Sequence, residues 1–171
     1  DEATLVRIHH GERVLLAEIA RKTWRYFEAL AGPEDHGLPP DNVQETGSAV
    51  VAHRTSPTNV GMGLLSTLAA HDLGLLPAGE MADRLDRMLT TVEGLETHEG
   101  HLLNWYDTRS LAPLLPRYVS TVDSGNLAGA LVALSGGLRQ LAGASPSLAA
   151  RLERLAGRSA ALADGMCFAF L

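Results

Sequence analysis

The 171-residue sequence predicts an all-α protein of about five helices. Apolar residues recur at steps of three and four in five separate segments, which is the period of an amphipathic helix. Three of these segments follow residue pairs typical of helix N-termini, namely Ser56-Pro57, Asp123-Ser124 and Ser145-Pro146. Strand patterns do not alternate with the helical ones, so nothing indicates a parallel sheet. We therefore expect a single domain of packed helices over residues 1–171.

The first helix is predicted over residues 12–31, where Gly32-Pro33 ends it. Its apolar stripe consists of residues 15, 16, 19, 20, 23, 24, 27 and 30. A polar stretch with four prolines follows, over residues 33–57. Unstructured loops of this length are usually functional or disordered, and this is the one long loop of the predicted fold.

The second helix is predicted from Ser56-Pro57 to near Gly74, and the third over residues 78–95. Asp123-Ser124 is expected to cap the fourth helix, and the fifth is expected over residues 146–165. Glycines in the fourth helix are expected to permit close packing of a neighbouring helix. The residues predicted to face inward are Leu64, Leu65, Leu68, Ala69, Met81, Leu85, Met88, Leu89, Val92, Leu95, Leu127, Leu131, Leu134, Leu138, Leu141, Leu148, Leu152, Leu155 and Leu162. The four glycines are Gly125, Gly129, Gly136 and Gly137.

Residues 99–122 lack a helical period and combine aromatic, β-branched and polar side chains, which favours a short β-hairpin or an extended loop. Trp105 and Tyr106 stand beside Asp107 and Arg109 in this segment. An apolar wall with a few polar groups is typical of a small-molecule site, and aromatic rings stack on sugars. The same rings could instead anchor the loop to the core.

Four carboxylates fall in the irregular segments rather than on charged helix faces. Glycoside chemistry needs two carboxylates about 5 to 9.5 Å apart. Carboxylates in loops also serve as caps or in Asx-turns, and both interpretations remain open for these four: Asp41, Glu45, Asp107 and Asp123.

Composition excludes several classes of function. The net charge of −6, without a basic tract, argues against nucleic acid or an anionic membrane as the main partner. No uninterrupted run of roughly 18 apolar residues is present, so direct membrane insertion is not predicted. Cys167 is the only cysteine, which rules out an internal disulfide.

The chain opens on Asp1 and closes on an apolar run, so we expect a fragment of a longer protein.

Metal, cofactor and serine chemistry are not predicted. His98 and His101 stand three residues apart and His9-His10 are adjacent, but neither pair has a third zinc ligand at a typical spacing. Ser124 lacks the GxSxG context of a nucleophile elbow, and a capping role explains it.

Several longer phrases resemble one family. They are "LPPDNVQE", "VVAHRTSPTNVG", "LLSTLAAHDLG", "NWYDTRSLAPLLPRYVSTVDSGNLAG" and "MCFAF", and they run from about Trp24 to the end of the chain. These phrases are similar to the central, glucoamylase-like domain of bacterial cyclic β-1,2-glucan synthases. The resemblance implies the N-terminal part of an (α/α)6 barrel. Such a barrel has twelve helices, and only about five are predicted here.

What the resemblance implies about function is ring closure of a linear β-1,2-glucan by transglycosylation, with β-1,2-glucan and the rest of the parent polypeptide as partners. It also implies a soluble domain on the cytoplasmic side of the bacterial inner membrane. The family's catalytic glutamates are expected in phrases similar to "SGTMFEYLMP" and "WGISES", which are absent here. The parent is thus expected to be an enzyme and this chain alone to be inactive.

By motif position, the resemblance implies ten substrate-binding residues at the helix-loop joins and assigns no catalytic residue. They are His53, Arg54, Asn59, Asn104, Trp105, Tyr106, Asp107, Arg109, Asp123 and Asn126. Two alternatives stay open: a self-sufficient β-glucan hydrolase using Asp107 and Asp123, and a non-catalytic helical interaction module. An unclosed half-barrel would expose an apolar face, so an oligomer is also expected.

Overall fold

The computed structural model describes residues 9–171 and has five helices, as predicted. A small amount of β-structure accompanies them, so the all-α assignment is confirmed. The helices are α1 (His10–Leu30), α2 (Pro57–Asp72), α3 (Ala78–Glu93), α4 (Thr121–Ala144) and α5 (Ala149–Asp164).

Seven short strands form three small antiparallel sheets in the loops between helices. Strands β3, β6 and β7 make the largest sheet, with β6 in the centre. The β6–β7 pair is the hairpin predicted within residues 99–122. The strands are β1 (Val43–Gln44), β2 (Val50–Val51), β3 (Arg54–Thr55), β4 (Thr97–His98), β5 (His101–Leu102), β6 (Asn104–Asp107) and β7 (Pro113–Tyr118).

Helices α2 and α4 lie side by side and run in the same direction. Near their N-termini, the Thr58 N–H donates to the Asp123 carboxylate. One turn further along, Gly61 faces Ala130, and near the other end Leu68 packs against Gly137. A Cβ on Gly61 would lie 2.9 Å from the Ala130 Cβ, so the two helices approach closely at this point. Both N-termini therefore point to the same end of the molecule.

Helices α3 and α5 form a second parallel pair, joined by ion pairs. Arg151 contacts Asp83 at 2.6 Å, and two turns later Arg158 binds Glu93 at 2.8 Å and also contacts Asp86. The loops after α2 and α4 are short, so α2 forms an αα-hairpin with α3, and α4 forms one with α5. Two layers of parallel helices result, which is the arrangement of an α/α barrel segment.

The leucine pattern of the last three helices is confirmed. Leu85, Leu89, Leu134, Leu138 and Leu152 are fully buried between the two layers. Fully burying one such side chain contributes about 1.5–3 kcal/mol, so the packing of the two layers stabilises the fold substantially. Leu65, Leu68, Leu141, Leu148 and Leu162 are half-buried at its edge.

The prediction for α1 is only partly correct. Trp24 is 5% exposed and packs on the core, but the first half of the predicted stripe faces outward. Leu15, Leu16 and Ile19 are each at least 50% exposed. The reason is that α1 rests on α2 only through its C-terminal half, where the core begins.

Two predicted helix starts are wrong. Helix α4 begins at Thr121, and its N-cap is Ser120, whose hydroxyl accepts from the Asp123 N–H. Asp123 thus lies in the first turn rather than before it. Helix α5 begins at Ala149, because residues 145–148 close a hydrogen-bonded turn first.

Two predictions about small residues also fail. Ala69 on α2 is exposed rather than inward. Of the four α4 glycines that were predicted to allow close packing, only Gly137 is in tight contact with a neighbouring helix, against Leu68. Gly125, Gly129 and Gly136 have open space where a Cβ would be.

Helix α4 is the one helix within residues 9–171 that is long and apolar enough to cross a membrane. Glycine and serine interrupt its apolar runs, so the criterion of an uninterrupted run did not detect it. Helices in protein cores pass the same test, and 39% of the apolar 18-residue stretch of α4 is buried inside the structure. The absence of membrane insertion stays a prediction, and it is now supported by the packing of α4 against other helices.

Candidate functional site

Polar residues from distant parts of the sequence gather where the N-termini of α2 and α4 meet strands β3 and β6. The strands pair antiparallel, with Arg54 opposite Asp107 and Thr55 opposite Tyr106. This pairing brings the long loop after α1 beside the aromatic hairpin. Three clusters of side chains result.

The first cluster is built around the Asp41 carboxylate. The Arg54 guanidinium donates to Asp41 Oδ2 from Nε at 3.2 Å and from Nη2 at 2.9 Å. Asn59 Nδ2 donates to Asp41 Oδ1 at 3.4 Å. Arg54 also lies over the Trp105 ring, 5.2 Å from its centroid, in a cation–π contact. The ring and three polar side chains thus form one continuous surface.

The second cluster joins the two helix N-termini. Asn126 on α4 donates from Nδ2 to the Thr58 hydroxyl at 3.0 Å, and the Thr58 N–H donates to Asp123 at 3.4 Å. The Asn104 side chain lies beside Asp123. Asn104 is 1% exposed, and its Oδ1 has no hydrogen-bond partner among the described residues. Because Thr58 precedes Asn59, this cluster adjoins the first.

The third cluster is built around the buried Asp35, which is 3% exposed. Asp35 Oδ1 accepts from the Thr108 hydroxyl at 2.5 Å and contacts His53 Nδ1 at 2.8 Å. The other ring nitrogen of His53 contacts Arg109 Nη2 at 2.8 Å. Backbone pairing reinforces the cluster, since the Thr108 N–H donates to the His53 carbonyl.

Two of the predicted residues support the hairpin. Tyr106 is fully buried, and its hydroxyl donates to the Glu96 carbonyl and accepts from the Leu103 N–H. Burial is the main cause that raises the pKa of Tyr106 to about 12. Asp107 accepts from the Ser110 N–H at 2.7 Å and from the Arg109 N–H at 3.0 Å, which closes the turn after β6.

The electrostatics of Asp107 and Asp123 favour the ionised form. The Ser110 N–H is the main group that holds the pKa of Asp107 below its usual range. Burial raises the pKa of Asp123, but hydrogen bonds from Ser120, Thr58 and Asn104 outweigh burial and the net pKa is lowered. A general acid for glycoside cleavage needs a raised pKa. Neither carboxylate has the property of such an acid.

Eight of the ten predicted residues thus belong to the three clusters, whereas Tyr106 and Asp107 support the hairpin. Sequence reasoning missed three members: Asp35, Thr58 and Thr108. Thr58 follows the Ser-Pro helix start and could have been inferred from it, whereas nothing in the sequence marked Asp35 or Thr108. Glu45 is exposed.

His98 and His101 lie elsewhere. His101 is buried and contacts the Cys167 carbonyl through Nε2, and His98 packs against Phe170. No group of three metal-ligating side chains is found among residues 9–171. A groove of about 550 Å³ lies between α3 and the end of α1, and no side chain of the three clusters lines it.

Comparison with known proteins supports the predicted resemblance. The chain is 51% identical over 125 residues, 73% of its length, to a protein from Rhizobium meliloti (strain 1021) named cyclic beta-(1,2)-glucan synthase NdvB. The chain spans 4% of the length of that relative. The resemblance to the cyclic β-1,2-glucan synthases is therefore confirmed for this segment.

Solved structures with a similar fold include two glucanases. An endo-β-1,2-glucanase from Chitinophaga pinensis, in complex with sophorotriose and glucose, has a TM-score of 0.73 at 14% identity. The match covers 92% of this chain and 37% of that one. A β-1,2-glucanase from Parabacteroides distasonis has a TM-score of 0.71 at 15% identity, covering 94% of this chain and 22% of that one.

These likenesses establish the fold: the five helices resemble part of a glucoamylase-like (α/α)6 barrel. A family profile described as a protein of unknown function matches residues 18–134, more than half of the sequence. By this match, the chain belongs to the DUF3131 family.

Proposed function

We propose that this chain forms part of the glucan-binding cleft of a domain that closes linear β-1,2-glucan into a ring by transglycosylation. The observation that carries the proposal is the gathering of Trp105, Arg54, Asp41 and Asn59 where two parallel helices begin. Identity to a named cyclic β-1,2-glucan synthase supports the choice of substrate.

The chemistry of the first cluster fits a neutral sugar. The Trp105 ring is half-buried and offers an apolar surface for one face of a glucose ring. Arg54 and Asp41 already neutralise each other, so a ligand meets hydrogen-bonding groups without a large net charge. Hydroxyl groups, which both donate and accept, can bind such a surface.

The cleavage and transfer of glycosidic bonds is proposed to use carboxylates elsewhere in the longer protein. Retaining transfer needs one carboxylate as nucleophile and one carboxylic acid as proton donor. With the pKa values of Asp107 and Asp123 both lowered, this chain offers no acid among the two carboxylates of the rival hydrolase hypothesis. We therefore propose that the isolated chain binds β-1,2-glucan but does not cleave it. From the family resemblance, we also propose that the longer protein acts at the cytoplasmic side of the inner membrane.

The first experiment uses the two tryptophans as probes. Trp24 is buried at the α1–α2 contact, whereas Trp105 lies in the first cluster. We expect titration with linear β-1,2-glucan to change the intrinsic fluorescence. The change should persist in Trp24→Phe and disappear in Trp105→Phe, and Trp105→Ala should weaken binding roughly tenfold or more, as expected for the loss of a stacking contact of about 1.5 kcal/mol.

The outcomes separate the three hypotheses. A glucan response that survives in Trp105→Phe and is lost in Trp24→Phe would refute the proposed site. Absence of any glucan binding, together with a stable oligomer, would favour an interaction module instead. Mass spectrometry of the glucan after incubation gives the third test, because cyclic or shortened products would show that the catalytic carboxylates lie within this chain.

A further inference from the structure

We propose that Asp35 and His53 are positioning residues that fix the direction of the Arg109 guanidinium, one of the predicted substrate-binding groups. His53 would then act on Arg109 and not directly on a sugar, in contrast to its expected role as a substrate ligand. The inference rests on the proposed function only for the identity of the ligand that Arg109 meets. The arrangement of the three side chains stands independently of it.

Donor and acceptor chemistry fixes the proton on the His53 ring. An ionised carboxylate only accepts hydrogen bonds. The Thr108 hydroxyl and His53 Nδ1, which both contact Asp35 Oδ1, must then both be donors. His53 Nδ1 therefore carries the hydrogen. Arg109 only donates, so His53 Nε2 must be the bare nitrogen that accepts from Arg109 Nη2 at 2.8 Å.

Arg109 is held at three points although it is exposed. Its N–H donates to the Asp107 carboxylate, and its carbonyl accepts from His36 Nε2 at 2.9 Å. Its guanidinium donates to His53 and, within residues 9–171, to no other group. A guanidinium has five N–H donors, so most of them remain available on a side chain whose direction is set.

The burial of Asp35 gives the arrangement its rigidity. Asp35 is 3% exposed and Thr108 is fully buried, so both are held by packing. The His53 side chain is 26% exposed and bridges from this buried pair to the surface. Fixing an arginine in advance reduces the conformational entropy that binding would otherwise cost.

The first test reads the proton directly and needs no ligand. Nitrogen-15 NMR of the intact chain at neutral pH should show His53 with hydrogen on Nδ1 and a bare Nε2. The Arg109 guanidinium resonances should be resolved in wild-type protein and should lose their dispersion in His53→Asn. A proton on Nε2, or Arg109 resonances unchanged in His53→Asn, would overturn the inference.

The second test compares two substitutions at one position. An asparagine amide reaches about as far as Nδ1 and keeps a donor for Asp35, whereas a glutamine amide reaches about as far as Nε2 and keeps an acceptor for Arg109. His53→Asn should weaken the binding of linear β-1,2-glucan roughly tenfold, the effect of one charge-assisted hydrogen bond. His53→Gln should retain most of the affinity. If both variants lose affinity equally, a merely structural role for His53 is the better explanation.

A double mutant shows whether His53 acts through Arg109. Arg109→Ala should weaken glucan binding, and adding His53→Asn should cause little further loss, because residues that work as a unit are not additive. Independent, additive losses would overturn the inference. Arg117→Ala is the matched control, since Arg117 is an exposed arginine of the same hairpin paired with Glu96, and it should bind like wild type. Absence of glucan binding by wild-type protein would refute the proposed function, while the NMR test would still decide the positioning role.

Discussion

Neighbouring aromatic residues of strand β6 have different roles because successive side chains of a strand point to opposite faces. Trp105 is half-buried at the surface and contacts Arg54, whereas Tyr106 is fully buried. With its pKa raised to about 12, mainly by burial, the Tyr106 phenol stays protonated at neutral pH. It therefore keeps the hydrogen that it donates to the Glu96 carbonyl.

The phenol can be tested by removing one oxygen. Tyr106→Phe leaves the Leu103 N–H and the Glu96 carbonyl without their partner, so the free energy of unfolding should fall by about 1–3 kcal/mol in urea denaturation. Tyr118→Phe, at a tyrosine that is 46% exposed, should change it by less than about 0.5 kcal/mol. Equal effects of the two substitutions would contradict a supporting role for Tyr106.

The sequence could not separate the two aromatic residues, because a loop and a strand were equally consistent with residues 99–122. Once β6 is known to be a strand, alternation alone assigns one ring to the core. Asp35 could not have been predicted from the sequence at all. Its partners Thr108 and His53 are 73 and 18 residues away, and no local pattern encodes such contacts.

At the scale of elements, the close approach of α2 and α4 determines where the candidate site lies. Gly61 permits the contact, since a Cβ there would lie 2.9 Å from the Ala130 Cβ and 3.6 Å from the Asn126 carbonyl oxygen. The helix N-termini then meet through Thr58, Asp123 and Asn126. The second cluster therefore depends on the packing of α2 against α4.

Two glycine-to-alanine substitutions distinguish packing from helix propensity. Alanine is favoured over glycine within a helix by about 1 kcal/mol, so Gly129→Ala, with open space around it, should stabilise the protein by up to that amount. Gly61→Ala should instead destabilise it by about 1–3 kcal/mol, because the new methyl group overpacks the interface. Thermal unfolding of both variants would measure this, and a stabilised Gly61→Ala would mean that the helices do not approach as closely as described.

Element type was predictable because the leucine pattern of α3, α4 and α5 is strongly periodic. Element starts were less so. Ser120 lies three residues before Asp123, so the capping pattern was present in the sequence, but Asp123-Ser124 offered a competing one. At α5, Pro146 suits a first helical position, yet the chain makes a separate turn before Ala149.

At the scale of the whole molecule, the two-layer arrangement leaves part of α1 outside it. Val14, Leu15, Leu16 and Ile19 are 50–56% exposed on consecutive turns. Contiguous exposed apolar residues commonly mark an interaction surface. The sequence predicted that Leu15, Leu16 and Ile19 face inward, but it could not show that a partner surface for them is absent from residues 9–171.

Self-association of the isolated chain should depend on this stripe. Sedimentation velocity is expected to detect oligomers that dissociate in the double variant Leu15→Glu/Ile19→Glu, without loss of the unfolding free energy. Leu115→Glu, at a leucine 85% exposed in the hairpin, serves as control and should leave the association unchanged. A monomeric wild-type chain, or equal dissociation in the control, would rule out the α1 stripe as the contact surface.

The wide sequence separation within the three clusters has a consequence for synthesis of the chain. Thr58 and Asp123 are 65 residues apart, and Asp35 and Thr108 are 73 residues apart. A ribosome therefore produces Asp35 and His53 long before Thr108 and Arg109, which complete their contacts. Until the hairpin and the start of α4 emerge, the nascent polypeptide has no assembled cleft, and the carboxylate of Asp35 lacks its contact with Thr108.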